Sequence, residues 1–184
     1  MNEPQITWMV MPEQASDLAA NYDLLFYSLT ALVTVCFVLI IGAGIYFVIK
    51  YRARGPENDA VEIPHNTTLE VLWSVIPLIV CMGLFAWGFK NFIDQMVPPK
   101  DALEIRVTGQ KWNWVFEYPD GTTTGGKNAI MGVPINKPVK LIITSRDVLH
   151  SFFVPSFRTK MDAVPNRYTT LWFRANKLGD QQVF

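Results

Sequence analysis

Residues 24–49 read LLFYSLTALVTVCFVLIIGAGIYFVI, a run of 26 residues without a charged side chain. A transmembrane helix needs about 20 predominantly apolar residues to cross the hydrocarbon core of a bilayer. A buried hairpin of a soluble protein is the alternative, but most helices of soluble proteins are shorter than this run. The run therefore predicts a first transmembrane helix at residues 24–49.

Residues 71–89 read VLWSVIPLIVCMGLFAWGF and form a second uncharged run, of 19 residues. Pro77 lies inside it, and membrane helices tolerate proline where neighbouring groups satisfy the freed carbonyl. Trp73 and Trp87 lie near the two ends, where interfacial aromatic side chains are favoured. We predict a second transmembrane helix with its exit at residues 70–97, antiparallel to the first.

The charges that flank the first run predict its orientation. No Lys or Arg precedes it, so it lacks the basic segment of a signal peptide. Lys50, Arg52 and Arg54 follow it, and basic residues concentrate in cytoplasmic loops. The link at residues 50–69 is therefore expected in the cytoplasm, with the N-terminal segment, residues 1–23, and the C-terminal part on the outer side.

The composition fits a chain that is partly a membrane anchor and partly a folded domain. Half of the residues are hydrophobic, 17% are charged and the formal net charge is zero, which is too apolar for a typical soluble domain. No basic cluster suggests nucleic acid as a partner. The two cysteines, Cys36 and Cys81, fall inside the apolar runs, so a secreted disulfide framework is not expected.

The C-terminal part, residues 98–184, has the pattern of short β-strands. Residues 103–108 alternate apolar and polar side chains, and residues 139–145 and 168–174 are also β-like. Turn signals containing proline and glycine separate these segments, which predicts an all-β sandwich. Only 84 residues follow Lys100, whereas common sandwiches need about 100, so we expect this sandwich to be incomplete at the C-terminus.

Three sequence blocks occur in an order that resembles a known family. They read NTTLEVLWSVIP at residues 66–77, GQKWNWVFEYPDG at residues 109–121, and DVLHSFFVP at residues 147–155, followed by KMDAVPNR at residues 160–167. On an anchor of two transmembrane helices, this order resembles subunit II of cytochrome c oxidase, a haem–copper respiratory oxidase. The resemblance implies that the external domain is a cupredoxin-like sandwich.

The same resemblance implies a role in electron transfer. In this family a binuclear copper centre, CuA, accepts electrons from cytochrome c and passes them to haem in subunit I. Subunit I, with its haems and CuB, then reduces oxygen while protons are translocated. The expected partners are subunit I, other oxidase subunits, cytochrome c or a tethered haem domain, and the lipid of a bacterial cytoplasmic or mitochondrial inner membrane.

His150 is the candidate metal ligand. It is the only histidine of residues 98–184, and a neutral imidazole suits copper, although a lone histidine is more often structural. The resemblance of its block implies that His150 is a CuA ligand. The other ligands that the family uses are two cysteines, a second histidine, a methionine and a glutamate carbonyl, and we expect them after Phe184. Asp147, three residues before His150, is expected to hold local structure.

Two further residues are candidates for the paths of electrons and protons. The resemblance implies that Trp112 is the exposed tryptophan through which electrons enter, and the alternative is a packed strand aromatic. Trp112 and Trp114 alternate, which predicts that they share one face of a strand. Glu70 lies at the cytoplasmic mouth of the second helix, and carboxylates at membrane depth often mark ion paths. It is the candidate entrance of a proton path, and the alternative is a carboxylate that reaches the water at the interface.

Asp162 and Arg167 match a family segment that faces subunit I near its haem. The resemblance implies that they contribute to this interface, and the alternative is a surface turn before Pro165. Residues 101–184 carry eleven Lys and Arg against seven Asp and Glu, or +4. We therefore expect a neutral or acidic cytochrome c as donor, or a tethered haem domain, with little effect of salt. Two rivals remain, a quinol oxidase subunit II without copper and a non-redox structural subunit.

Overall fold

The structure, a computed structural model, describes residues 11–52, 64–126 and 128–184. The predictions for the start of the N-terminal segment, for Arg54 and for the middle of the link lie outside the described residues. The chain forms two compact units. A helical unit comprises Leu24–Phe89, and an external unit combines the preceding N-terminal segment with Lys90–Phe184.

The chain has two long helices, α1 (Asp17–Lys50) and α2 (Thr67–Met96). Most of their length forms the helical unit, whereas the start of α1 and the end of α2 belong to the external unit. Both helices are long and apolar enough to cross a membrane. They extend beyond the uncharged runs at both ends, because backbone hydrogen bonding can continue through polar residues outside the hydrocarbon. Near the external ends, the Asn91 side-chain amide donates to the Asn21 carbonyl at 3.4 Å. The start of α1 thus meets the end of α2, as the predicted antiparallel hairpin requires.

The described residues of the external unit form seven strands in two sheets. The strands are β1 (Leu103–Gln110), β2 (Asn113–Glu117), β3 (Thr123–Gly126), β4 (Pro138–Ser145), β5 (His150–Val154), β6 (Thr159–Ala163) and β7 (Thr169–Arg174). The larger sheet has the order β3-β2-β1-β4-β7, and β5 and β6 form the smaller one. Strands β1 and β4 are parallel, and all other pairs are antiparallel.

The hydrophobic core lies between these sheets. Ile105 and Val107 of β1 are fully buried, whereas Glu104 and Arg106 between and beside them are exposed. This is the alternation that the sequence predicts for a strand with one buried face. Phe152 of β5 reaches the same core from the smaller sheet. The predicted fold class, two apolar helices followed by a β-sandwich, is confirmed.

Candidate metal centre

His150 lies at the first position of β5, on the rim of the sandwich. Its ring is 6.0 Å from the ring of Trp114, edge to face. Gly109 of β1 lies opposite, where a Cβ atom would be 3.2 Å from His150 Cδ2 and 2.9 Å from Trp114 Cζ3. A side chain at residue 109 would therefore displace both rings, so glycine is what lets the imidazole and the indole approach β1 this closely.

Asp147 holds the imidazole by one ring nitrogen. Its Oδ1 lies 2.7 Å from His150 Nε2, and the carboxylate also accepts the backbone N–H groups of Lys111 (2.8 Å) and Val148 (2.7 Å). The Lys111 N–H, then His150 and the Val148 N–H lower the pKa of Asp147 far below its ordinary value. These hydrogen bonds favour the carboxylate form of Asp147, which holds the local structure and orients the candidate ligand.

This contact leaves the second nitrogen of His150 available to a metal. Within the described parts of the chain, no hydrogen-bond partner approaches Nδ1. When Nε2–H donates to Asp147, the lone pair is on Nδ1. A metal-binding histidine usually donates its other N–H to a carboxylate or carbonyl in this way. The Asp147–His150 pair has the arrangement of a metal ligand with its supporting acceptor.

The donor set as a whole does not fit two copper ions. The residues that the structure describes contain no group of three His, Cys, Asp or Glu side chains arranged around a metal. Cys36 and Cys81 lie in α1 and α2 of the helical unit. One imidazole cannot bind a binuclear copper centre, which needs several soft ligands. His150 is therefore a single candidate ligand, and no electron-transfer step through the metal follows from these residues alone.

Trp112 is the most exposed tryptophan among the described residues of the external unit. It lies in the turn between β1 and β2, with 90% of its surface exposed. Trp114 on β2 is half-buried, and its ring packs edge to face on Phe152 at 5.2 Å. The prediction that both indoles share one strand face is wrong, because β2 begins only at Asn113 and the turn directs Trp112 outward.

A cavity of about 600 Å³ opens beside Trp112. Its wall includes Trp114, Phe157 and Val183, and its rim carries Ile130 and Leu178, which are 77% and 86% exposed. These residues come from β2, from a loop and from the chain after β7, so no local pattern could have predicted that they meet. The exposed indole thus adjoins an apolar surface.

Asp162 and Arg167 are both exposed and lie on one open surface near β6. The Ser151 hydroxyl donates to Asp162 Oδ1 at 2.8 Å, so Asp162 is beside the residue that follows His150. Glu70 belongs to the helical unit. It lies in the first turn of α2, and its Oε1 is 2.9 Å from His65 Nε2.

The N-terminal segment changes the charge of the external unit. Its three described carboxylates pair with cations of the sandwich, Asp17 with Arg174 at 3.4 Å, Asp23 with Arg158 at 2.7 Å and Glu13 with Lys177. Residues 1–23 and 90–184 together hold thirteen Lys and Arg against twelve Asp and Glu, or +1. The excess of +4 in the sandwich is thus largely neutralised.

Comparisons with known proteins agree with these features. Residues 4–90 match the family model "Cytochrome C oxidase subunit II, transmembrane domain", and residues 124–182 match "Cytochrome C oxidase subunit II, periplasmic domain". Cytochrome c oxidase subunit 2 of Cereibacter sphaeroides is 32% identical over 151 residues, which cover 62% of this chain and 50% of the relative. The chain thus spans about half the length of that relative.

A second relative covers more of the chain. Cytochrome c oxidase subunit 2 of Thermostichus vulcanus is 29% identical over 95% of this chain and 68% of its own length. Among solved structures, the periplasmic domain of subunit II of cytochrome oxidase (CoxB) of Bradyrhizobium japonicum is similar. It is 33% identical over 45% of this chain and 70% of that chain, with a TM-score of 0.40.

Proposed function

The chain belongs to the cytochrome c oxidase subunit II family, and from this premise we propose that it accepts electrons from cytochrome c for haem in subunit I. The family is part of an oxidoreductase complex, and its members are membrane-anchored subunits with an external cupredoxin-like domain. The observation that carries the proposal is the Asp147–His150 pair, in which Nε2 is held and Nδ1 is left for a metal.

His150 supplies one ligand to a CuA centre in this proposal, and the described residues do not hold the other ligands that the family uses. The backbone of Phe184 exchanges two hydrogen bonds with Phe153, at 3.2 and 2.9 Å, which is the geometry of an antiparallel pair. Phe153 lies three residues after His150. A polypeptide that continued from Phe184 in this register would run beside β5 and lie opposite His150 about three residues later.

The chain's own residues have distinct roles around this centre. When bound, CuA supplies the one-electron carrier. Asp147 fixes the plane and tautomer of the imidazole, which a ligand needs to keep its lone pair directed at a metal. Trp112 presents an exposed indole on the same rim, where a donor protein can stack against it. Asp162 and Arg167, on the surface near β6, contribute to the contact with subunit I.

The experiment is a copper assay on the full-length gene product in its membrane complex. His150→Asn is expected to remove the copper of the external unit and its near-infrared absorption band, while the CuB of subunit I remains bound. His65→Asn is the matched control, since His65 is the other histidine of these 184 residues and lies in the helical unit. It should retain both signals. A near-infrared band retained in His150→Asn would contradict the ligand assignment, and its absence from the parent complex would favour the quinol oxidase alternative.

The donor in this proposal is a cytochrome c with a neutral or acidic docking surface, or a tethered haem domain. The near-neutral external unit and the apolar rim beside Trp112 support it. Charge steering depends on ionic strength, so raising the salt from about 20 to about 200 mM should change kcat/KM by less than about threefold. A steep loss of turnover with salt, using a basic soluble cytochrome c, would contradict this.

Glu70 is proposed as the entrance of a proton path on the cytoplasmic side. Its carboxylate lies in the first turn of α2 beside His65, where it can exchange protons with water and lead them into the complex. Glu70→Gln should slow oxygen reduction without changing the copper content. Asp94→Asn, a carboxylate at the other end of the same helix, is the control. Unchanged turnover in Glu70→Gln would remove the case for this role.

A further inference from the structure

Residues 11–23, which precede the membrane-spanning part of α1, form part of the external unit. Ser16 pairs with Ala175 in an antiparallel bridge just after β7. The Ala15 N–H donates to the Ser156 carbonyl at 3.0 Å, and the Asn176 N–H donates to the Ala15 carbonyl at 3.1 Å. The segment is therefore bonded on both sides to the sandwich.

Arg158 is the anchor of this attachment. Its Nε and Nη2 donate to the two oxygens of Asp23 at 2.7 and 2.9 Å. The same guanidinium donates to the carbonyls of Pro155 and Pro12, both at 2.6 Å. The Arg158 side chain is 6% exposed and that of Asp23 is 7% exposed. A planar guanidinium can make all these bonds at once, which the point charge of a lysine cannot.

The anchor lies at one end of the strand that carries His150. Strand β5 runs from His150 to Val154, and the short 3₁₀ helix Pro155–Phe157 leads from it to Arg158 and β6. The Ser16 hydroxyl donates to the Phe157 carbonyl at 3.0 Å, so the segment also holds this short helix. Residues 11–23 thus secure the connection between β5 and β6.

We propose that Arg158 is a positioning residue, which fastens residues 11–23 to the β5–β6 connection and so keeps β5, with His150, in a fixed place relative to the start of α1. The fastening stands on the hydrogen bonds alone. Its consequence for turnover rests on the proposed function, because a metal ligand must be held in one geometry to keep its partner distances.

The physical basis is the cost of breaking a buried ion pair. When one partner is removed, the other remains as an unpaired charge away from water, and the structure must open to solvate it. In Arg158→Met, Asp23 keeps the hydrogen bond from the Gln14 side-chain amide at 2.8 Å but loses its counter-charge, which water can replace when residues 11–23 leave the sandwich. The exposed pair of Arg174 with Asp17 carries no such penalty, because both groups already contact water.

Amide hydrogen exchange on the full-length chain in its membrane complex tests the fastening. Arg158→Met should accelerate exchange at least about tenfold at Ala15 and Asn176, whose N–H groups are bonded between residues 11–23 and the sandwich. Arg174→Met is the matched control, and its exchange rates at the same amides should stay within about twofold of those of the parent protein. Unchanged exchange in Arg158→Met, or equal acceleration in both variants, would overturn the proposal.

An engineered disulfide can attach residues 11–23 to the sandwich in place of the ion pair. It shows whether faster exchange in Arg158→Met comes from detachment of this segment or from unfolding of the external unit. Ser16→Cys with Ala175→Cys, with Cys36 and Cys81 replaced by alanine, joins bridge partners whose Cα atoms lie within disulfide range. Oxidised, it should restore slow exchange to Arg158→Met. If Arg158→Met also exposes the core amides of Ile105 and Leu141, their recovery on oxidation supports the fastening, and failure to recover overturns it.

Turnover of the same variants tests the consequence. Arg158→Met should lower kcat for cytochrome c oxidation at least about fivefold with KM unchanged, since Trp112 and its rim are untouched, and the oxidised disulfide should restore kcat. A loss confined to KM, or no recovery of kcat despite restored exchange, would overturn the positioning role. If the parent complex does not oxidise cytochrome c at all, the proposed function fails, while the exchange results still decide the fastening.

Discussion

The two units of this chain treat their apolar residues in opposite ways. In the helical unit, no described residue is buried, and side chains such as Phe37 and Val38 are more than half exposed. In the external unit, Ile105, Phe152 and Phe173 are completely buried. Water drives apolar side chains into a core, whereas lipid does not.

The difference shows that the two units are stabilised by different surroundings. The helices satisfy their own backbone hydrogen bonds, so their apolar side chains remain free for lipid and for other subunits. The sandwich depends on contacts within the chain, including those from residues 11–23. A substitution of the same chemical kind should therefore have very different effects in the two units.

Removal of a large aromatic side chain should give the largest contrast. Phe173→Ala is expected to lower the free energy of unfolding of the external unit by about 3–5 kcal/mol, because Phe173 is fully buried and its loss leaves a cavity. Phe37→Ala in α1 should change it by less than about 0.5 kcal/mol. Denaturant unfolding followed by near-ultraviolet circular dichroism measures both. Equal losses of unfolding free energy in the two variants would mean that side chains of the helical unit also contribute to a buried core.

Insertion of a charged side chain should have the opposite pattern, with the larger effect in the helical unit. Val38→Asp places a carboxylate in the middle of α1, which costs about 2.5–3.5 kcal/mol in membrane insertion assays. Ile130→Asp, at a 77% exposed position of the external unit, should be tolerated within about 0.5 kcal/mol. The inserted fraction of each variant gives the measurement. Normal insertion of Val38→Asp would show that α1 does not face hydrocarbon at this position.

The sequence predicts the fold best where one physical signal acts alone. Run length without charge is sufficient for α1 and α2, and alternation is sufficient for β1. Strand β5 escapes this logic, because Phe152 and Phe153 are consecutive apolar residues and Phe153 is covered by Phe184 from the other side. Strand β3, with its Thr and Gly residues, has no apolar side chain from which a period could be recognised.

The candidate site divides in the same way. The Asp147–His150 contact joins residues three apart, so the local block containing both was already distinctive. Gly109 approaches His150 from a different strand, and Arg158 meets Asp23 across 135 residues. Such contacts depend on tertiary packing and leave no periodic signal. The exposure of Trp112 depends on a turn, and alternation alone could not distinguish that turn from a strand.

The smallest expected contrast compares the residues that precede the two helices. Before α1, the buried Ser16 hydroxyl accepts the Ala19 N–H at 3.3 Å and donates to the Phe157 carbonyl. Before α2, the exposed Asn66 side chain accepts the Leu69 N–H at 3.1 Å. Losing a helix cap costs about 1 kcal/mol, and a buried carbonyl left unbonded costs at least about 1 kcal/mol more.

Ser16→Ala should therefore accelerate exchange of the Ala19 amide about 30-fold, and Asn66→Ala should accelerate that of Leu69 about fivefold. Both variants lose one similar cap hydrogen bond. The additional acceleration in Ser16→Ala therefore measures the contribution of the hydrogen bond from Ser16 to the Phe157 carbonyl, which attaches the start of α1 to the sandwich. Equal accelerations would mean that this carbonyl finds water when the hydroxyl is lost. The start of α1 would then be attached less tightly than the buried contacts of residues 11–23 indicate.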